Sequence, residues 1–185
     1  MEAFLVSTGI VALAEMGDKT QLLTLLLATR FRRPWPIVAG IFVSTIVNHA
    51  LAGAVGAWIT AFLGPQVLRW VLGGSFIAMA IWMLIPDKLD EDEADSAPKY
   101  GVFLTTVAAF FLAEMGDKTQ VATVMLAARF NAWASVVAGT TLGMMLANVP
   151  VVFLGDRIVR KVPIRLVHTI GAIVFVVLGA LALWH

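Results

Sequence analysis

The stretch Leu13-Ala-Glu-Met-Gly-Asp-Lys-Thr-Gln21 returns unchanged, 99 residues later, as Leu112-Ala-Glu-Met-Gly-Asp-Lys-Thr-Gln120. Nine consecutive identities are not chance, so the chain is read as a duplicated unit. The same offset pairs Arg30-Phe31 with Arg129-Phe130, Ala39-Gly40 with Ala138-Gly139, and Gly56 with Gly155. Each copy of the motif places three charged side chains inside an otherwise apolar run. That combination constrains the fold, because 60% of the chain is apolar and only 14% charged. Soluble domains average about 45–50% and about 25%. A chain this apolar is expected to have lipid as its solvent.

A membrane-crossing helix needs roughly 20 mostly apolar residues. Six segments qualify, at about Ala3–Leu27, Trp35–Leu63, Trp70–Ile85, Val102–Ala128, Trp133–Gly155 and Leu166–Trp184. The expected class is an all-α integral membrane protein with six transmembrane helices. The first three-helix repeat spans residues 1–86 and the second 101–185, joined by an acidic linker, 87–100. The linker carries six acids and two lysines between Asp87 and Lys99, with no aromatic residue. Such a composition reads as a solvated segment. The first 29 residues lack the basic start of a removable signal peptide and hold Glu15, Asp18 and Lys19 in their apolar run.

An odd number of spans per repeat sends the second repeat into the membrane from the opposite side. The repeats are therefore expected to be inverted, an arrangement common in secondary transporters, whose sites lie near the midplane. The loops after the first, third and fifth spans hold nine Lys and Arg residues, and the other side holds Arg69 and Arg129. The positive-inside rule then puts both termini outside and the linker in the cytoplasm of a bacterial inner-membrane protein. A net charge of +1 gives no basic footprint for nucleic acid. With no cysteine, disulfides, thiolate metal sites and cysteine nucleophiles are excluded.

Charge at the centre of a bilayer costs at least about 2.5–3.5 kcal/mol per residue, so intramembrane charges are functional candidates. Glu15, Asp18 and Lys19 share an arc of about 100° on a regular helix. Gly17 permits a break there, and Glu114, Asp117, Lys118 and Gly116 repeat the pattern. Where the motifs meet, four carboxylates and two ammonium groups sum to −2, the charge one divalent cation neutralises. Carboxylate, amide and hydroxyl oxygens suit hard ions such as Mg2+, Ca2+ or Mn2+. The expected ligands are Glu15, Asp18, Glu114 and Asp117, with Gln21 and Gln120 supplying neutral oxygens. Lys19 and Lys118 are expected to pair with the acids, or instead to snorkel or bond backbone carbonyls, and Thr20 and Thr119 to support them. The alternative is a pair of buried ion pairs that only fix packing.

The second spans add Asn48 and His49, with Asn148 matching His49 at the repeat offset. These residues suit hydrogen bonding between membrane helices, or a lining role with His49 as a proton carrier. Met16 and Met115 offer a soft sulfur or plain packing. Gly40, Ser44, Gly53, Gly56, Gly139 and Gly143 suit close helix contact. Asp156 is expected at a membrane edge, solvated beside Arg157. Trp35, Trp70, Trp133 and Trp184 read as interfacial anchors.

The doubled Glu-x-Gly-Asp-Lys-Thr signature, over both halves and the acidic linker, resembles the Gdt-one family of membrane cation exchangers, grouped with the LysE-type exporters. The family's acidic, glycine, basic and hydroxyl positions fall on Glu15, Gly17, Asp18, Lys19 and Thr20, and on Glu114, Gly116, Asp117, Lys118 and Thr119. The resemblance implies transport of manganese or calcium, exchanged for protons, with the ions as cargo and no resident cofactor. The residues alone reach only a hard divalent cation. A passive cation channel and an exporter of a cationic organic solute are the rival readings. No Ser-His-Asp arrangement, HExxH or phosphate loop suggests an enzyme.

Overall fold

The structure is a computed structural model that describes residues 1–85, 101–155 and 163–184. All regular structure in these residues is helical. In chain order the helices are α1 (Glu2–Glu15), α2 (Lys19–Phe31), α3 (Pro34–Phe62), α4 (Pro65–Met83), α5 (Gly101–Glu114), α6 (Lys118–Phe130), α7 (Trp133–Leu154) and α8 (Ile164–Trp184). Four of them, α3, α4, α7 and α8, are long and apolar enough to cross a membrane unaided. The expected first and fourth spans are each two shorter helices, α1–α2 and α5–α6. The acidic linker and Asp156 lie outside the described residues.

The division has a local cause. Gly17 and Gly116 adopt positive φ, +84° and +75°, a conformation that glycine enters without the Cβ penalty of other residues. The following Asp18 and Asp117 are extended and stand at the N-cap positions of α2 and α6. Both second half-helices end alike, on Arg32 and Asn131 in the left-handed region, with their amides bonded to Ala28 and Ala127. Pro34 and Pro65 then start α3 and α4, where a residue without an amide hydrogen is tolerated. That start carries α4 through Arg69, several residues earlier than the expected Trp70.

The repeat offset governs the architecture as well as the motif. Helices begin at 2, 19, 34 and 65 in the first half and at 101, 118, 133 and 164 in the second. Packing follows the same correspondence. A Cβ at Gly40 on α3 would meet Thr106 and the Phe103 carbonyl of α5; one at Gly139 on α7 would meet Ser7 and the Phe4 carbonyl of α1. Each half's third helix, α3 or α7, thus packs on the other half's first helix, α5 or α1, and the halves interlock.

Helix directions can be read from these contacts. α7 runs alongside α1–α2, since Gly139 meets Phe4 and Asn148 meets Thr24. α3 runs alongside α5–α6, since Gly40 meets Phe103 and Gly56 meets Val124. α3 and α7 cross in opposite directions: Gly53 meets Trp133, whose indole donates to the Ala50 carbonyl, and Trp35 packs edge-on to Phe153. α4 and α8 pair antiparallel through Gly73 on Leu183 and Gly171 on Met83. Two apolar cores result, one around Phe76, Phe175 and Leu126, the other around Phe110, Ile37 and Met144.

Candidate functional site

The two breaks bring the motif acids together. Glu15 closes α1 and Glu114 closes α5, while Asp117 opens α6. Each of these three offers a carboxylate oxygen within 4.8 Å of the others, and all three are buried. Asp18 is buried too, at the start of α2, outside this tightest group. At both breaks the aspartate amide donates to the preceding glutamate carbonyl at 3.2 Å, which folds the acid pair back on itself.

Glu15 is held from both halves. Thr20 donates its hydroxyl to one carboxylate oxygen and Thr119, from the other motif, donates to the second. The Lys19 ammonium lies 3.9 Å from Asp117, again across the repeats. Glu114 is different: it is completely buried, and neither of its carboxylate oxygens has a hydrogen-bond partner among the described residues. A buried carboxylate left without a donor is costly, and an ion supplied from outside would meet it.

The glutamines do other work here. Gln21 accepts the Gly17 amide at 2.9 Å and donates to the Ala147 carbonyl on α7; Gln120 accepts the Gly116 amide at 2.8 Å. Both amide oxygens, expected as neutral ligands, therefore already have one lone pair engaged in bracing the breaks. The lysines divide as well. Lys19 stays at the carboxylates, whereas Lys118 donates to the Ile85 carbonyl at 2.7 Å, beyond the end of α4.

Asn148 accepts from Thr24 at 2.7 Å, and Asn48 donates to the Phe111 carbonyl at 3.2 Å, so both asparagines bond between helices. His49 is fully buried, and neither ring nitrogen has a hydrogen-bond partner among the described residues. Met115 is 58% exposed, which removes it as a soft ligand at the cluster. Sequence reasoning passed over His168, whose Nε2 lies 3.0 Å from the Met16 carbonyl and covers the first break together with Ile164, which overlies Gly17. At the second break, nothing among the described residues lies within 4 Å of where a Gly116 Cβ would stand.

The cluster gives three buried carboxylates, with the Lys19 ammonium 3.9 Å from Asp117, at two glycine breaks between half-helices. Against this geometry the comparisons with known proteins are specific. The family model described as divalent cation/proton antiporter GDT1 matches residues 3–91 and 102–185. A Vibrio cholerae serotype O1 protein named "Putative manganese exporter" is 50% identical over 180 residues, covering 97% of this chain and 89% of its own. A GDT1-like protein of Synechocystis is 28% identical over 204 residues, covering 100% of this chain and 98% of its own. A GDT1-like protein of Schizosaccharomyces pombe is 22% identical over 234 residues, covering 97% and 88%. No solved structure matches the chain significantly. The chain belongs to the GDT1 family of divalent cation/proton antiporters.

Proposed function

We propose that this protein is a secondary active transporter that exports a divalent cation, Mn2+ first and Ca2+ second, from the cytoplasm in exchange for protons. The ion sits between the two motif breaks, with Glu15, Asp18, Glu114 and Asp117 as its acidic ligands. The observation that carries this reading is the meeting of carboxylates from both halves around Glu114, whose buried oxygens have no donor. Glu15, Asp18, Glu114 and Asp117 with Lys19 and Lys118 sum to −2 when ionised, which a divalent cation neutralises. An oxygen-rich donor set without sulfur suits Mn2+ or Ca2+. Manganese is put first because the Vibrio relative is named for it.

Six spans in two inverted repeats are part of the proposal. α1–α2 and α5–α6 each cross as a broken span, and α3, α4, α7 and α8 cross whole. The antiparallel crossing of α3 and α7, each running alongside the other half's broken span, supports inversion. Half-helix ends meeting at an ion near the midplane are the usual construction of such sites. Both termini then lie outside and the linker in the cytoplasm of the bacterial inner membrane.

Exchange follows from competition. A metal needs its ligands deprotonated, so protons arriving from outside displace it and metal arriving from inside displaces them. Thr20 and Thr119 orient Glu15 for either partner. Alternation requires the cluster to open to one side at a time; the covered first break and the open second break are the asymmetry such a cycle uses. The test is reconstitution in liposomes, following Mn2+ and Ca2+ across an imposed pH gradient. Metal flux that rises with the gradient, with matching proton counterflow, is expected. Flux indifferent to the gradient would favour a passive channel, and competition by a cationic organic solute would favour that substrate.

A further inference from the structure

One face of α3 holds a second set of donors that the carboxylate cluster does not use. Ser44, Thr45, Asn48 and His49 are all buried, at 1% exposure or less. The hydroxyl oxygens of Ser44 and Thr45, the Asn48 carbonyl oxygen and both His49 ring nitrogens have no hydrogen-bond partner among the described residues. Buried polar atoms are nearly always paired, and in lipid an unpaired group costs several kcal/mol. Five such atoms within two turns of one helix call for an occupant.

Their position relates them to the cluster. Asn48 bonds the Phe111 carbonyl, one turn before Glu114, and Gly56 packs on Val124, well past the break. Since α3 runs alongside α5–α6, the stretch from Ser44 to His49 follows the last turns of α5 and ends near the level of Glu114. The duplication sharpens the point. At the repeat offset the four residues become Gly143, Met144, Ala147 and Asn148. There Gly143 is packed shut, since a Cβ would lie 2.6 Å from the Thr8 carbonyl, and Asn148 is satisfied by Thr24. The motifs are kept in both halves, but this donor face exists in only one.

We propose that Ser44, Thr45, Asn48 and His49 form a transient divalent-cation station beside the carboxylate cluster, on the α5 side, with His49 as its one nitrogen ligand. The inference rests on the proposed transport reading and deepens it. Two hydroxyls, an amide oxygen and an imidazole carry no charge, so they hold a partly hydrated cation without trapping it. Calcium and magnesium keep to oxygen, whereas a transition-metal ion accepts imidazole. His49 thereby biases the protein toward Mn2+ at a step before the all-oxygen cluster, which would bind Ca2+ as readily.

The experiment is pulsed electron paramagnetic resonance of the purified full chain titrated to saturation with Mn2+, in detergent. The wild-type spectrum is expected to show 14N modulation from a coordinated imidazole. That modulation should be lost in H49N, which installs the residue the second half carries, and kept in the double variant H168N/H185N. The preference for Mn2+ over Ca2+ in equilibrium competition should be lost with it in H49N. Bound Mn2+ without imidazole modulation in the wild type overturns the station whatever the variants do, as does modulation that survives in H49N. A wild-type chain that binds no Mn2+ at all instead overturns the transport reading itself.

Discussion

Glu15 and Glu114 are the same residue of the same motif, and they sit in opposite states. Glu15 accepts hydroxyls from both halves, and Glu114 accepts nothing from the described residues. The pair that meets across the repeats is asymmetric, because one carboxylate takes the donors that both copies supply. Under the proposed function the threonines act as positioning residues, and replacing Thr119 with Val should leave Glu15 misoriented. Outer-shell partners of this kind typically contribute about 10–100-fold in metal affinity. T119V is accordingly expected to bind Mn2+ about 10–100-fold more weakly, read by equilibrium titration. The glycines of the breaks differ too. Both carry positive φ, which costs roughly 1–2 kcal/mol for a residue with a Cβ. At Gly17 a Cβ would also lie 2.7 Å from Ile164, while at Gly116 it meets open space. G17A should lower the thermal stability of the purified protein more than G116A; equal losses would show that α8 does not seal the first break.

At the scale of helices, the repeat was legible because the motif is identical in both copies and Pro, Gly and Trp mark the boundaries. The acids of the cluster were legible for the same reason, together with their improbable place in an apolar run. What stayed hidden depends on partners distant in sequence. The Gln21 bond to Ala147 and the His168 contact with Met16 join residues 126 and 152 positions apart. No local pattern announces that a glutamine will brace a break, or which backbone carbonyl Lys118 will reach. The break itself could be allowed from Gly17 but not asserted, since a glycine within a helix is also tolerated. Helix contact makes its own prediction. Gly143 abuts the backbone of α1 at Thr8 and Ala12, which cannot yield as a side chain would, whereas Gly74 faces open space. Overpacking of this kind costs about 1–3 kcal/mol. G143V should reduce the yield of monodisperse protein in gel filtration, and G74V should leave it unchanged.

For the whole molecule, interlocked halves explain how a small chain can gather a buried acid cluster without a large core. Neither half encloses the cluster alone, since Glu15 needs Thr119 and Asp117 lies beside Lys19. The proposed topology is testable because the chain has no cysteine. A single cysteine in place of Ser96 should react with impermeant reagents only from the cytoplasmic face, and one in place of Glu2 only from outside. Proton coupling has a definite sign. Metal binds deprotonated carboxylates, so adding Mn2+ to protein in weak buffer should release protons and acidify the solution, and affinity should fall as pH falls. No acidification at saturating Mn2+ would remove the link between metal and proton.

The central claim is that one ion is shared by acids from both halves. It is tested most directly by the stoichiometry of Mn2+ binding at the carboxylates in E15Q and E114Q, measured by equilibrium titration beside the wild type. If the ion is shared, either substitution alone abolishes high-affinity binding. If each variant instead keeps half of the wild-type sites at unchanged affinity, each motif holds its own ion and the shared site does not exist.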